Sequence, residues 1–272
     1  MTLAWLIPVM LFLMHSSAAG PQPATRPIQP PTDVIVIGTV HDATANFPRA
    51  ALDQILNGLR PDVLLLELDS SFFDGAGELR PEFRQITIET ASASALRESR
   101  GVAMRPYDIE GRNAFFERHD YFNRESRLYR ALHQLHHDDK LGPEARATFE
   151  ALVAVARVRD AFMQERPEVI NSPACDAAID AKHQYAFEGL TRVVELTPEL
   201  ADFKDFVKLA DEFWRRRSEA MVANILSHAH DFRGKRIVVL CGLEHRGDLR
   251  RKLAERAAER GLVVREFWEV AK

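Results

Sequence analysis

The fold is decided by Asp33-Val-Ile-Val-Ile-Gly-Thr-Val-His41, a short and largely β-branched apolar run that passes through a glycine. Apolar residues then recur at helical spacing as far as Leu59, and a second continuous apolar run follows at Val63-Leu-Leu-Leu66. A strand, a helix and a strand in this order form a βαβ unit. Strands that are apolar on both faces are typical of a parallel sheet covered by helices, so the sequence predicts an α/β protein.

The rest of the chain extends this pattern. We predict a third strand at Val102-Ala-Met104, a late strand at Ile237-Val-Val-Leu240 and a last one at Leu262-Val-Val264. Between about residues 113 and 227 we find no convincing strand, and the apolar spacing predicts amphipathic helices. We therefore expect a single domain over 33–272. It has a central, mostly parallel sheet flanked by helices, with a long all-helical insertion between the third strand and the C-terminal strands.

The first 32 residues differ in composition from the rest of the chain. The apolar run Leu3–Met14 is shorter than the ~20 residues that a membrane-spanning helix needs, and the small residues Ser17-Ala18-Ala19 follow it. This pattern predicts a signal peptide over 1–19, and the proline-rich stretch 20–32 predicts an extended spacer. We expect the protein to be exported, periplasmic or secreted, and without membrane contact after cleavage. An uncleaved membrane anchor is the alternative.

Charge and cysteine content limit the possible functions. The chain has 36 Lys and Arg residues against 40 Asp and Glu residues, a net charge of −4. This balance argues against binding nucleic acid or an anionic membrane by bulk charge. The small-molecule or peptide substrate that we expect as partner rests on the site residues and the family resemblance described below. Cys175 and Cys241 could form one disulfide bond at most, and a buried free thiol is favoured for Cys241, which ends an apolar run. The sequence leaves the oligomeric state open.

The motif Gly-x-x-His occurs twice, each time at the end of an apolar run, as Gly38-Thr-Val-His41 and Gly242-Leu-Glu-His245. Glu67 directly follows the second predicted strand. Ligands of open α/β sheets bind at the carboxyl edge, where a glycine allows a sharp turn or a close approach. If the three strands are neighbours, His41, Glu67 and His245 converge there. Two imidazoles and a carboxylate can hold a divalent transition metal ion and leave a position for water.

The same histidines and carboxylate also have a simpler, purely structural interpretation. A histidine in a loop is more often solvated or hydrogen-bonded than functional, and the strand-end side chains could merely pair with one another. The combination favours a functional site, because a carboxylate such as Glu67 seldom follows four buried apolar residues unless it is paired or coordinating. The sequence contains no P-loop, dinucleotide-binding glycine pattern, nucleophile elbow or His-Glu-x-x-His motif.

Arg217 is a further candidate because of its helical phase. It shares one face of a predicted helix with four apolar or aromatic residues, namely Ala210, Trp214, Met221 and Ile225. An arginine on a core face keeps its charge, so it needs a buried carboxylate or a ligand anion unless its stem reaches solvent. Glu67, Asp42 and Asp69 are its candidate partners. Arg217 could also stabilise an oxyanion.

Two more charged residues follow the third predicted strand at the same edge of the sheet. Asp108 ends the segment that begins at Val102, and Arg112 comes four residues later. Like Asp42 and Asp69, both could contact the side chains of the site and hold them in position. A plain salt bridge explains Asp108 and Arg112 equally well.

These motifs together resemble the TraB/GumN family. The resemblance rests on Gly38-Thr-Val-His41, Glu67, the helix pattern Arg217-x-x-x-Met221-x-x-x-Ile225, and Gly242-Leu-Glu-His245 before a closing helix. It spans the chain from about Ile35 to Leu253. Relatives of this family include Tiki-type membrane metalloproteases, erythromycin-esterase-like hydrolases and ChaN-type haem-binding lipoproteins. This chain departs from the family's frequent Glu-Arg-Asn pattern, since it has Arg216-Arg217-Ser218.

The resemblance implies an α/β core with a helical insertion and a site formed by His41, Glu67, Arg217 and His245. We expect an exported, metal-dependent hydrolase of peptide or ester bonds. In it, His41, His245 and Glu67 hold manganese, cobalt or zinc, which lowers the pKa of bound water. Arg217 would stabilise the oxyanion, and Glu67 would be the general base if it is not a ligand. The alternative implied by the ChaN-type relatives is an extracytoplasmic protein that binds haem or a similar ligand through histidine without turnover.

Overall fold

The computed structural model describes residues 30–270. The predicted signal peptide, 1–19, and residues 20–29 of the predicted spacer lie outside the described residues, so export stays a prediction. Within 30–270, no helix combines the length and the apolar character that crossing a membrane requires.

A five-stranded, all-parallel sheet forms the centre of the protein, which confirms the predicted α/β fold. The strands lie in the order β3-β2-β4-β1-β5. Because β4 inserts between β1 and β2, these two strands are neighbours of β4 and not of each other. The strands are β1 (Thr32–Thr39), β2 (Val63–Leu66), β3 (Ala103–Pro106), β4 (Arg236–Gly242) and β5 (Leu262–Arg265).

Helices cover both faces of this sheet and form the insertion. In chain order they are α1 (Arg49–Leu59), α2 (Ile88–Arg100), α3 (Arg112–Arg118), α4 (Tyr121–His137), α5 (Pro143–Phe162), α6 (Pro167–Ile170), α7 (Pro173–Gln184), α8 (Leu190–Leu196), α9 (Lys204–Asp231), α10 (Leu243–Arg260) and α11 (Phe267–Val270). Short 3₁₀ turns occur at Ser70–Phe72, Pro81–Phe83 and Pro198–Phe203, and a π-helical turn occurs at Tyr185–Gly189.

Three apolar cores follow from the hydrophobic patterns. On one face of the sheet, residues such as Leu56 of α1 and Leu96 of α2 pack against alternate strand residues. On the other face, α9 and α10 pack through residues such as Ile225 and Leu253. The insertion has a core of its own around Phe149 of α5. In the described chain, no strand occurs between β3 and β4, as predicted.

The start of α2 matters for the site, because this helix begins at the carboxyl edge of the sheet. Thr87 caps it: the Thr87 side chain accepts a hydrogen bond from the backbone N–H of Thr90, and the Thr90 hydroxyl accepts one from the N–H of Thr87. Such a cap contributes about 1 kcal/mol. The N–H of Ile88 also donates to the carbonyl oxygen of His41 at 2.9 Å. These bonds hold the first turn of α2 against the loop after β1.

Both cysteines are buried free thiols, as favoured for Cys241. Cys241 lies within β4 and Cys175 within α7. Burial raises the pKa of the Cys175 thiol to about 12 and that of Cys241 well above its ordinary value, so neither is a reactive thiolate at neutral pH.

Candidate active site

The carboxyl ends of β1, β4 and β2 lie side by side. Thr39 is paired with Gly242, and Leu66 with Leu240, so the residues that follow these strands emerge at one edge. This register brings Glu67 and His245 together, with 3.5 Å between Glu67 Oε1 and His245 Nε2.

Glu67 is almost fully buried and is held in place by hydrogen bonds from two neighbours. Its Oε1 accepts a hydrogen bond from Arg217 Nη2 at 2.6 Å, and its Oε2 accepts one from the backbone N–H of Gly242 at 2.7 Å. Burial by itself would raise the pKa of this carboxyl group. Protonated His245, the charges of Arg217 and His41 and the Gly242 hydrogen bond outweigh that effect and lower the pKa to about 2. Glu67 is therefore a fixed carboxylate at neutral pH.

His245 lies in the first turn of α10 and is buried against Trp214, whose ring stacks on the imidazole at a centroid distance of 4.3 Å. Arg217 Nη1 donates to His245 Nε2 at 3.0 Å. Since a guanidinium can only donate, Nε2 is the acceptor and the ring proton sits on Nδ1. Burial, which Glu67 only partly offsets, lowers the pKa of His245 to about 4, so this imidazole is neutral at neutral pH.

Arg217 joins these residues to Asp108. Its Nε and Nη2 donate to the two carboxylate oxygens of Asp108 at 2.8 and 2.7 Å. The arginine therefore holds a buried cluster of Glu67, Asp108 and His245. Of the partners predicted for Arg217 from the sequence, Glu67 is observed. Asp108 is its other carboxylate partner among the described residues. Four of its five N–H groups are used in these bonds, which makes Arg217 a positioning residue for Glu67 and His245.

His41 differs from these buried residues because its side chain is 48% exposed. Its backbone lies in the left-handed region, with φ of 66°, a conformation that costs energy for a residue other than glycine. The Nδ1 atom is hydrogen-bonded to Glu89 Oε1 at 2.8 Å. Burial of the ring lowers its pKa, but the hydrogen bond and charge of Glu89 and the charge of Glu67 outweigh this and raise the pKa to about 9, against an opposing effect of Arg112.

Glu89 was not among the residues predicted from the sequence. This glutamate lies in the first turn of α2, is buried, and accepts hydrogen bonds from both His41 Nδ1 and the Thr39 hydroxyl. Burial alone would raise its pKa, but His41 and Thr39 outweigh burial and lower it. The only sequence signal was Thr87-x-x-Thr90, which marks the start of a helix and so places Glu89 near a loop. Nothing in the local pattern shows which strand end that helix faces.

A cleft of about 310 Å³ opens beside this His41–Glu89 pair. The polar side chains of its wall include His41, Glu67, Glu89 and Arg112, and its apolar wall is formed by Leu66, Leu68, Phe72, Ile86 and Leu240. This volume lies at the lower end of the range for small-molecule sites, roughly 300–1,000 Å³. The cleft lies where ligands of α/β sheets bind.

The remaining predicted residues have separate positions. Arg112 lines the cleft and forms the simple salt bridge with Asp108, at 2.8 Å. Support of a functional site by this pair stays a prediction. Asp69 is buried but caps the 3₁₀ turn Ser70–Phe72 by accepting a hydrogen bond from the N–H of Ser71. Asp42 is exposed in the loop after β1. Neither Asp69 nor Asp42 contacts Arg217, because the turns after their strands direct them elsewhere.

The two motif glycines allow close packing within the protein. Neither Gly38 nor Gly242 has a positive φ, so sharp turns do not explain them. A Cβ atom at Gly38 would lie 3.1 Å from the Arg246 side chain, and one at Gly242 would lie 2.8 Å from His41 Nε2. The Gly-x-x-His pattern thus lets the His41 ring lie directly against the start of α10.

Gly242→Ala should therefore displace the His41 ring. We expect the pKa of His41 to fall from about 9 toward 6.5 as the ring moves away from Glu89. The free energy of unfolding should fall by only about 1 kcal/mol, since a half-exposed ring can yield. Histidine titration by NMR and denaturant unfolding measure the two effects. Gly75→Ala is the control because open space surrounds that glycine; an unchanged His41 titration in Gly242→Ala would contradict this packing.

The predicted metal ligands His41, His245 and Glu67 are not arranged as a ligand set. The Arg217 guanidinium bridges Glu67 and His245: it takes the single lone pair of His245 Nε2 and occupies one acceptor position of Glu67 Oε1, both of which a metal ion would need. Over residues 30–270, no three His, Cys, Asp or Glu side chains are grouped so as to hold a metal ion. The residues as placed do not fit a metal ion, and we assign no chemical step to one.

The chain matches no protein-family model, no curated protein and no solved structure. The TraB/GumN resemblance therefore stays a prediction that rests on the motifs alone.

Proposed function

We propose that this protein is a hydrolase that cleaves a carboxylic ester or amide bond in the cleft beside His41. The observation that carries the proposal is the half-exposed imidazole of His41, whose Nδ1 is held by the buried carboxylate of Glu89. No hydrogen bond within the described chain takes up His41 Nε2, and a histidine that a carboxylate orients is a typical general base when its other nitrogen can accept a proton. Small-molecule and peptide substrates both remain within the proposal.

The proposed reaction requires only proton transfer at Nε2. With Nδ1–H donating to Glu89, neutral His41 keeps a lone pair on Nε2, which takes a proton from water as the water oxygen attacks the carbonyl carbon. The resulting imidazolium returns that proton to the leaving alcohol or amine when the carbonyl–heteroatom bond breaks. The carboxylates of Glu89 and Glu67 stabilise the imidazolium between these two steps.

The surrounding charges support this sequence. Glu67 stays ionised because Arg217 and the Gly242 N–H hold it. Arg112, which lines the cleft, is the cation we propose for the oxyanion of the tetrahedral intermediate. From the sequence, that role was predicted for Arg217, but the bonds of Arg217 to Asp108, Glu67 and His245 leave it a single unused N–H.

The pH dependence tests the general base. Because the pKa of His41 is about 9, kcat/KM should rise with pH to a plateau above that value. In Glu89→Gln the imidazolium loses its main stabilising partner, so the rise should move toward pH 6.5, while the plateau should fall about tenfold or more. Hydrolysis of p-nitrophenyl butyrate and N-acetyl-leucine p-nitroanilide, corrected for the uncatalysed rate, measures both.

Glu78→Gln is a matched control, because Glu78 pairs with Arg97 away from the cleft. Its pH profile should equal that of the unaltered protein. A rate that falls as pH rises through 9 would show His41 acting as an acid, and an identical profile in Glu89→Gln would remove the pair from the mechanism.

The same assays separate this mechanism from the metal-dependent one. Metal binding by His41, His245 and Glu67 stays a prediction of the sequence. Under the present proposal, activity survives dialysis against a chelator. Loss of activity with the chelator and its return on adding manganese, cobalt or zinc would instead favour the metal-dependent hydrolase and overturn the proposed role of His41.

Haem capture stays the alternative prediction. The contacts of the described residues support it less, because His245 is buried against Trp214 and its Nε2 is taken by Arg217. A haem absorption band that disappears in His41→Ala would revive that alternative.

A further inference from the structure

We propose that the cleft binds the carboxylate of an apolar acid, so that the substrates are esters or amides of apolar carboxylic acids. This inference rests on the proposed hydrolase, whose acid product would occupy the same place. It is carried by two features of the cleft wall, namely the arrangement of its charged groups and its apolar lining.

The acidic groups around the cleft are buried and each is paired through at least one oxygen, whereas the basic side chains of Arg112 and His41 reach its surface. The side chains of Glu67, Glu89 and Asp108 are 10%, 7% and 0% exposed. The side chain of Arg112 is 19% exposed, and that of His41 is 48% exposed. A ligand in the cleft therefore meets donors, although the charges of the whole cluster nearly cancel.

Arg112 is suited to bind a carboxylate. Its Nη1 donates to Asp108 at 2.8 Å, and its Nε donates to the side chain of Asn113 at 3.2 Å. No hydrogen bond within the described chain takes up its Nη2, although the residue lines the cleft. The salt bridge to Asp108 fixes the guanidinium, so a ligand carboxylate loses little entropy from ordering it. His41, on the same wall, supplies a second donor through Nε2 when it carries a proton there.

The other wall is apolar. Leu66 and Leu240 lie near the carboxyl ends of β2 and β4, and Leu68, Phe72 and Ile86 come from the segment between β2 and α2. Ile86 is among the large apolar residues that are exposed in the described chain. An apolar chain placed against these residues is removed from water, which contributes to affinity in proportion to the area buried.

Saturated carboxylates of increasing length test this binding directly, without any turnover. By isothermal titration calorimetry of the full chain near neutral pH, we expect affinity to rise about threefold for each added methylene from butyrate to octanoate. Octanol has a chain of the same length and no charge, and it should bind at least about tenfold more weakly than octanoate. Equal affinities for octanoate and octanol, or no binding of octanoate, would overturn the inference.

Two substitutions in α3 locate the carboxylate. Arg112→Gln should weaken octanoate binding about tenfold or more and leave octanol binding unchanged. Arg118→Gln, at the exposed end of the same helix, should leave both unchanged. Equal losses in both variants would overturn the assignment. If Arg112→Gln does not fold, Arg112→Lys serves, because it keeps the charge and loses the planar donor pair; we expect it to bind octanoate more weakly than the unaltered protein.

The outcomes separate this inference from the proposed hydrolase. Octanoate binding that depends on Arg112, with no hydrolysis of any ester or anilide, would uphold the binding site and reject the enzyme. Hydrolysis without preference for acyl length, and without inhibition by octanoate, would uphold the enzyme and reject the substrate class.

Discussion

Arg217→Met should lower the free energy of unfolding by about 3–5 kcal/mol, the largest stability change we expect from one substitution in this protein. The arginine pairs with Glu67 and Asp108, which are both almost fully buried, and it also donates to His245. Methionine fills a similar volume but leaves Glu67 without its guanidinium partner and leaves Asp108 with Arg112 as its only cation among the described residues. The uncompensated buried charge, and not the lost contacts of the arginine itself, causes the loss.

The pH dependence gives this prediction a second measurement. The lowered pKa of Glu67 means that its carboxylate stabilises the fold above its ordinary pKa of 4.5, and that this contribution is lost as the pH falls toward 2. In Arg217→Met, burial is no longer offset by the arginine, so Glu67 takes up a proton at higher pH. The difference in stability between the two proteins should therefore narrow as the pH falls below 4.5.

Denaturant unfolding of three variants checks the explanation. Arg215→Met is the matched control, since Arg215 is exposed in the same helix and, within residues 30–270, pairs with Asp211 alone; its effect should stay within about 0.5 kcal/mol. Adding Glu67→Gln to Arg217→Met should recover part of the loss, because it removes one unpaired charge. Equal stability of Arg217→Met and Arg215→Met would contradict the buried cluster.

His41→Asn should lower kcat/KM by about 100- to 10,000-fold, the largest effect on activity that we expect. Asparagine suits the test because it tolerates the left-handed backbone of residue 41, where φ is 66°, better than alanine does. It lacks a group that can accept a proton from water near neutral pH. The rate should be measured near pH 9, where the base form of His41 is well populated.

His230→Asn is the control for this variant, because His230 is an exposed histidine at the end of α9. It should keep the activity of the unaltered protein. If His41→Asn remained folded and kept more than about a tenth of the activity, His41 would not be the general base. Unfolding measurements show whether His41→Asn remains folded.

The local sequence predicted the elements of the fold well. The run Asp33–Ile37 became part of β1, Val63–Leu66 became β2, and the strandless middle became the insertion. These predictions succeed because the spacing of apolar residues indicates which face of a helix or strand is buried. That spacing involves only residues that are close in the chain. That β1, β2 and β4 are neighbours was assumed and not predicted from the sequence. Strand order depends on contacts between elements that are distant in the chain.

The candidate site was partly predictable for the same reason. Arg217 is a core-facing residue by its phase, and Glu67 is a strand-end acid by its position. Their pairing could not be read from the chain, because 150 positions separate them. Asp69 had the same local appearance as Glu67, yet it caps a turn. Glu89 gave no periodic signal and was missed.

The sequence by itself determined the residue types at the ends of the strands and the arginine on the buried face of α9. Only the tertiary structure decided that Arg217 bridges Glu67 and His245, and that Glu89 orients His41. The physical reason is that an ionised side chain takes its partner from whatever the packing of sheet and helices brings within hydrogen-bond distance. That distance is set by the whole fold, whereas periodicity is set by neighbours along the chain.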